Sequence, residues 1–226
     1  MAGESEQVRR LARLRELANA ELSAALRLAE PGDAASVAEV IVTYVPVIAE
    51  RYGLSAAVLA ADWYEELRDA AEARGAFSAV LADPPDFGRY ESMADWAVAQ
   101  SDIEAAVAGG LSRIISDMHR GTIMRSSFAD PQAAGWARFA GGGDGSCPFC
   151  YMLISRGATY SERTAKFGAH DRCNCGAGPI FKGSAGATEV DRYRKSARRR
   201  EDSEGNAIGP TKADQDRARD WIAANL

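Results

Sequence analysis

The amino-acid sequence predicts a mainly α-helical protein, in which a helical bundle precedes a small loop-rich β module and a polar tail with a short C-terminal helix. Three observations support this fold class. Apolar residues recur at intervals of three and four through the first 140 residues, as on the buried face of a helix. That period stops at the glycine-rich run 141–145, and all four cysteines lie between residues 147 and 175.

These changes of pattern divide the chain into three predicted parts. Residues 1–140 form the helical domain, and residues 146–182 form the cysteine-containing module. Residues 183–226 are polar and basic, and they end in a helix over about residues 211–224. Short pieces of the module have the composition of β-strands, namely residues 152–155, 158–160 and 179–181.

Helix-breaking and capping residues set the expected bounds of the helices. Pro31-Gly32 ends the first helix, and Asp33 or Ser36 caps the second, which contains Pro46 and stops at Gly53. Asp130-Pro131 should cap and begin the last helix of the bundle. The expected helices cover residues 4–30, 33–53, 54–74, 92–110, 111–127 and 131–139.

The sequence also predicts whether three tryptophans and one histidine of the bundle are buried or exposed. We expect Trp63, Trp96 and Trp136 to fill the core or the seams between helices. His119 has no evident catalytic or ligand partner in the sequence, so we expect it on a helix surface.

Composition excludes several classes of protein. A net charge of −5 and an isoelectric point near 5.2 argue against a dedicated nucleic-acid coat. No run approaches the roughly 20 apolar residues that span a bilayer, and the acidic N-terminus does not resemble a signal peptide. We therefore expect a soluble protein made in a reducing cytoplasm, without membrane contact, where clustered cysteines indicate metal or redox chemistry rather than disulfides.

The cysteine window has the spacing of a structural zinc site. Cys147-x2-Cys150 offers two thiolates, and His170-x2-Cys173-x-Cys175 offers three further donors. Zinc prefers thiolate sulfur and imidazole nitrogen in tetrahedral array, and a structural site is closed by four ligands. One of the five candidates is therefore spare. We favour Cys147, Cys150, His170 and Cys173, with Cys175 in place of Cys173 as the alternative.

Catalytic interpretations of the same cysteines fit less well. A redox C-x-x-C pair usually stands at the start of a helix in a βαβ unit, whereas this pair follows a glycine run. The zinc deaminase signature needs an upstream H-x-E, but His119 is followed by Arg120 and Gly121. Asp171 and Glu162 are near in sequence but form no recognisable catalytic frame. We therefore predict a structural metal and no enzymatic activity.

A basic run in the tail is a second candidate contact. Acidic residues flank it on both sides, which favours a solvated tail, but contact with packaged DNA or an acidic partner surface is the alternative. The six positive residues of the run are Arg192, Arg194, Lys195, Arg198, Arg199 and Arg200.

Several segments together resemble a known family. Most specific is the cysteine window, in which C-x2-C is followed by H-x2-C-x-C. Ala61-Asp-Trp-Tyr-Glu-Glu-Leu-Arg68, Asp130-Pro, Trp136-Ala-Arg and Pro179-Ile-Phe181 add to it. Over about residues 55–182 the chain resembles the MuF-like minor capsid proteins of tailed phages that infect actinobacteria.

This resemblance implies a virion protein of the phage head, involved in head morphogenesis. Members of that family are associated with the portal vertex or the capsid interior and act in head assembly or DNA delivery. The implied partners are the portal or major capsid protein, with packaged DNA as a further contact through the basic tail. A zinc-dependent nucleic-acid-binding or processing protein is the alternative function.

Overall fold

The computed structural model describes residues 2–141, 148–155, 157, 167, 169 and 173–184, with side chains except at residues 2–5 and 148. Within these residues the predicted mainly α-helical class is confirmed. The elements in chain order are α1 (Ala2–Leu26), α2 (Ala34–Ala70), α3 (Gly88–Ala97), α4 (Ile103–Ala129), β1 (Ala133–Phe139), α5 (Pro148–Ile154) and β2 (Gly176–Phe181).

The second and third predicted helices are one continuous helix, α2. Asp33 caps it, because the Asp33 carboxylate accepts a hydrogen bond from the Ala35 backbone N–H at 2.9 Å. Gly53 does not end the helix: a Cβ there would lie 3.1 Å from Cγ of Met118 on α4. Glycine at this position permits close approach of α2 and α4. The predicted break at Gly53 was therefore wrong. Pro46 lies inside α2, as predicted.

The predicted break at Gly109-Gly110 was wrong for the same reason. Residues 98–102 separate α3 from α4, and Asp102 caps α4 by accepting from the Ala105 N–H at 2.9 Å. Gly110 lies within α4, where a Cβ would come 2.6 Å from Sδ of Met93 on α3. The glycine marks a packing contact rather than the end of a helix.

The segment after Asp130 is a strand, so the predicted helix over residues 131–139 was wrong. β1 pairs antiparallel with β2, with Trp136 opposite Pro179 and Phe139 opposite Gly176. Proline fits in this sheet because only two strands are present among the described residues, and each strand has an open edge. The partner of β1 lies about 40 residues away in sequence, and local periodicity cannot reveal that pairing.

The three predicted β pieces of the module have different outcomes. Residues 152–154 belong to α5 and not to a strand, while residues 179–181 form part of β2, as predicted. Residues 158–160 lie outside the described residues.

Two large apolar clusters make up most of the core in the described part of the chain. The first joins α1, α2, α3 and α4, and it contains Leu22, Ile41 and Leu111 among others. The second lies between the sheet and the helices α2 and α4, and its largest side chains are Trp63, Tyr64, Ile123, Trp136 and Phe181. Residues on both sides of the glycine-rich run therefore share one sheet and one core.

Trp63 and Trp136 are buried as predicted, but the expectation for Trp96 was wrong. The Trp96 side chain is 49% exposed. As for membrane contact, none of the helices in the described part of the chain has the length and apolar character needed to cross a bilayer.

Candidate metal centre

Three cysteine side chains converge at one buried point. Sγ of Cys150 lies 3.3 Å from Sγ of Cys173 and 3.3 Å from Sγ of Cys175, and the last two are 2.9 Å apart. All three residues are buried, with at most 5% of their surface exposed. Sulfur atoms this close together are either hydrogen bonded or bound to a common ion.

The elements around the cluster explain this convergence. Cys150 lies in the short helix α5, whereas Cys173 and Cys175 lie in the non-helical segment that leads into β2. In extended chain, residues two apart point to the same side, so a C-x-C pair directs both thiols towards one centre. The pairing of β2 with β1 fixes that segment on the protein.

The structure brings together three of the five sequence-predicted ligands. These are Cys150, Cys173 and Cys175. Cys147 and His170 lie outside the described residues. Sequence reasoning treated Cys173 and Cys175 as alternatives for one ligand position, and the structure places both thiols in the same cluster.

The donor set fits a thiophilic metal ion. Cysteine binds zinc at about 2.3 Å, so neighbouring sulfurs of a tetrahedral site lie about 3.8 Å apart. The observed separations of 2.9–3.3 Å are somewhat shorter, and small side-chain rotations would open them. They are far longer than the roughly 2.05 Å of a disulfide bond. The three cysteines are therefore positioned to bind one ion.

Electrostatics favours at least one thiolate in this cluster. Hydrogen bonds from the thiols of Cys150 and Cys175 hold the pKa of Cys173 far below its usual range, and the charge on Arg120 acts in the same direction. The hydrogen bonds of Cys150 to Cys173 and to Cys175 raise the pKa of Cys150. A lowered pKa favours the thiolate of Cys173, which is the form of cysteine that binds a metal ion.

Arginines from three elements brace the segment that carries two of the thiols. Arg120 on α4 donates to the carbonyl oxygens of Cys173 at 2.7 Å and Cys175 at 3.0 Å. Arg138 on β1 donates to Sγ of Cys175 at 3.8 Å. The third contact comes from α1, where the Arg15 guanidinium donates to Oδ1 of Asn174 at 2.9 Å.

An aromatic side chain completes this environment. The Phe167 ring stacks on Trp136, with centroids 5.6 Å apart. The Arg138 guanidinium lies 3.6 Å from the Phe167 centroid, and that of Arg120 lies 4.7 Å away. Both arginines are buried. Three thiolates on a divalent ion carry a net charge of −1, which buried guanidinium groups stabilise.

Sequence reasoning did not identify these arginines. The available signal was weak: Arg120 precedes Ile123 by three residues, so it lies on a face of α4 that was expected to be buried. A charged residue on a buried helix face needs a partner. The partners here are backbone carbonyls about 50 residues away.

The expectation for His119 was wrong, because the residue is 2% exposed. Its ring lies 6.2 Å from that of Trp63, and among the described residues neither ring nitrogen has a hydrogen-bond partner. Burial, together with the neighbouring Arg120, lowers the pKa of His119 to about 3. The side chain is therefore a neutral member of the core, and the structure gives it no role as a ligand.

The basic run of the tail, with its six predicted contact residues, lies outside the described residues.

Comparison with known proteins adds one family. A search of curated proteins and a search of solved structures each gave no match. The family model described as VG15 protein matches residues 4–199, which include every described element except the first two residues of α1, and all five candidate ligands. The chain therefore belongs to the VG15 protein family, a family of viral gene proteins.

Proposed function

We propose that this chain is a structural minor capsid protein of a tailed phage. It would be associated with the portal vertex or the capsid interior and act in head assembly or DNA delivery. The observation that carries the proposal is membership of a viral protein family over residues 4–199. The MuF-like spacing of the cysteine window supports the finer assignment to the phage head and to phages that infect actinobacteria.

The architecture is consistent with a structural role. Four helices form an apolar core, and a small sheet and a cysteine cluster are fixed to one end of α4. Such a shape could dock onto the portal or the major capsid protein. Architecture alone does not determine function, so the proposal depends on the family and on the cysteine motif.

A direct test is mass spectrometry of purified virions. The protein should be present in a few copies per particle. A phage that carries Cys150→Ser should replicate its DNA normally but yield few viable particles. Absence of the protein from virions, or arrest of DNA replication in the variant, would contradict a role in the head.

We further propose that the cluster holds structural zinc. Cys150, Cys173 and Cys175 would supply three ligands, and either Cys147 or His170 the fourth. Zinc would crosslink α5 to the segment before β2, and it would supply no reactive position if four protein ligands close the site. The buried thiols and the bracing arginines support this assignment.

Cobalt substitution identifies the ligands. Cobalt(II) bound to thiolates absorbs strongly in the near ultraviolet, with an intensity that follows the number of sulfur ligands. Cys147→Ser should reduce that intensity if Cys147 is the fourth ligand, and His170→Ala should leave it unchanged. If His170 is the fourth ligand, Cys147→Ser should leave the near-ultraviolet intensity unchanged, and His170→Ala should alter the visible ligand-field bands of the cobalt instead. Recombinant protein without stoichiometric metal would overturn the zinc proposal.

The basic run gives a specific reason to consider nucleic acid as a second partner. Six positive residues lie between Arg192 and Arg200. They would contact phosphates, so retention of the full chain on DNA should fall steeply with salt. Replacing the six residues by glutamine should abolish retention, whereas unchanged retention would exclude this contact. Nuclease activity of the purified protein would instead favour the alternative of a nucleic-acid-processing protein.

A further inference from the structure

An apolar groove lies along the C-terminal end of α4. Its cavity has a volume of about 510 Å³, within the roughly 300–1,000 Å³ that is usual for binding sites. The α4 residues that line it lie three, four, seven and eight residues after Gly121, so they share one side of the helix. The other side of α4 faces the core, where Ile123 is fully buried. The described residues that line the groove are Val80, Gly121, Met124, Arg125, Phe128 and Ala129.

The second wall of the groove is a non-helical segment that is fixed to α4. The Val80 N–H donates to Oγ of Ser126 at 2.9 Å, and the Ala82 N–H donates to Oγ1 of Thr122 at 3.0 Å. The Val80 residue itself is 39% exposed. Both walls are therefore held in place before anything binds, as is usual for binding sites.

The described part of the chain ends beside this groove, at Ser184. Just before that end, the Lys182 N–H donates to the carbonyl oxygen of Gln132 at 2.8 Å. The Lys182 ammonium group donates to the carbonyl oxygen of Pro131 at 2.7 Å. Pro131 follows Ala129 by two residues, and Ala129 lines the groove. The polar tail therefore starts next to the groove.

We propose that residues 211–224 of the same chain dock in this groove as an amphipathic helix. These residues lie outside the described part of the structure, and the sequence predicts a helix there. Ala218, Trp221 and Ile222 follow Asp214 by four, seven and eight residues, so all four share one side of that helix. This side would present three apolar side chains and one carboxylate to the groove.

The two surfaces match in polarity and in charge. Arg125 is the only charged residue among the described residues that line the groove. It donates to the Leu81 carbonyl oxygen at 3.2 Å and pairs with the exposed Asp83. A guanidinium has five N–H donors, so Arg125 can bind a second carboxylate. Asp214 would supply that carboxylate, while Trp221 would supply a large aromatic anchor of the kind that fills pockets at interfaces.

The length of the connecting segment permits this contact. Residues 185–210 comprise 26 residues, which span up to about 85 Å when fully extended. The groove is only about 12 Å long from Gly121 to Ala129, at 1.5 Å per residue. A tether raises the local concentration of the helix, which favours this segment over a separate molecule as the occupant. Docking would fix both ends of the segment that carries the basic run.

Hydrogen–deuterium exchange of the full chain tests the proposal. An isolated helix of fewer than about 12–15 residues is marginal in water, so slow exchange in residues 211–224 requires docking. Those amides should exchange about tenfold or more faster in Val80→Glu, which places a carboxylate in the groove. Val47→Glu is the matched control, because Val47 is 54% exposed on α2 and does not line the groove. It should leave the exchange rates unchanged.

A charge exchange tests the predicted ion pair. Arg125→Glu should accelerate exchange in residues 211–224, because two carboxylates would then face each other. Adding Asp214→Arg to Arg125→Glu should slow the exchange again, since the two charges are then restored in reverse. If the second change restores no protection, Arg125 does not pair with Asp214 and the proposed docking is wrong.

Three further outcomes would overturn the proposal. One is exchange of residues 211–224 in the wild-type chain at the rate of an unfolded peptide. Another is protection that rises with protein concentration, because the helix would then occupy the groove of a second copy. The third is equal acceleration by Val80→Glu and Val47→Glu, which would exclude this groove as the docking site.

Discussion

The Arg120 guanidinium of α4 donates a hydrogen bond to the carbonyl oxygen of Cys173 at 2.7 Å. The same group reaches the Cys175 carbonyl at 3.0 Å, so one buried side chain fixes the backbone on both sides of Asn174. This contact couples α4, which packs against the other three helices of the bundle, to the segment that presents two of the three clustered thiols.

Replacing Arg120 by methionine should weaken zinc binding. Groups that orient metal ligands typically change metal affinity by about 10–100-fold when removed, and we expect a loss in that range. Competition with a chromophoric chelator measures the affinity. Arg125→Met is the matched control, because Arg125 also lies on α4 but pairs with the exposed Asp83. Equal affinity in the wild type and in Arg120→Met would show that the guanidinium does not position the ligands.

Chelation of the metal should loosen the cysteine segment and the sheet. It should leave intact the first apolar cluster, which joins α1, α2, α3 and α4. β2 continues directly from Cys175, and its pairing with β1 holds Phe181 and Trp136 together. Hydrogen–deuterium exchange should therefore show lost protection in residues 148–155 and 173–181. Protection of the core around Ile41 and Leu111 should persist. Unchanged exchange at residues 173–181 after complete metal removal would contradict this coupling.

Asp130→Ala should strongly destabilise the fold. The Asp130 carboxylate is fully buried, and it accepts from Nε of Arg68 at 2.9 Å and from the Tyr64 hydroxyl at 3.2 Å. Removing it leaves a buried guanidinium without its counter-charge, which costs about 3–5 kcal/mol of unfolding free energy. Asp83→Ala should cost much less, since Asp83 is exposed and its ion pair with Arg125 is screened by solvent. Urea unfolding of both variants measures the difference.

Gly176→Ala should disturb the sheet much more than Gly178→Ala. A Cβ at Gly176 would lie 2.1 Å from the Phe139 ring, whereas a Cβ at Gly178 would lie 3.6 Å from Trp63, an ordinary contact. Overpacking of this kind typically costs about 1–3 kcal/mol. If steric overlap is the cause, adding Phe139→Ala to Gly176→Ala should cost less than the sum of the two single changes. Thermal unfolding of the four variants tests this expectation.

Buried His119 should make stability depend on pH. Its pKa is lowered from an ordinary 6.5 to about 3 by burial. Between these values the unfolded chain binds a proton at residue 119 that the folded chain does not, so stability falls as pH falls through this window. The slope is at most about 1.4 kcal/mol per pH unit for one group. His119→Leu should show a shallower fall below pH 6 in urea unfolding; an equal slope would refute this origin.

The sequence by itself determined the helical class and the place of the cysteine cluster. Apolar residues at spacings of three and four follow from burying one side of a helix, so that periodicity predicts the helical conformation of α1, α2 and α4 from local residues alone, but not the bounds of α2 and α4. Cysteines in one short window similarly predict a common site. A single contact between two short segments is enough to bring Cys150, Cys173 and Cys175 together.

Tertiary structure decided the features whose partners are remote in sequence. Gly53 and Gly110 have the composition of helix ends, but they lie inside helices because Met118 and Met93 pack against them. β1 is a strand because β2 pairs with it, and His119 is buried because α4 contacts the sheet as well as neighbouring helices. A local pattern shows which side of a segment is buried. It does not show which distant segment packs against that side, because that choice depends on the packing of the whole chain.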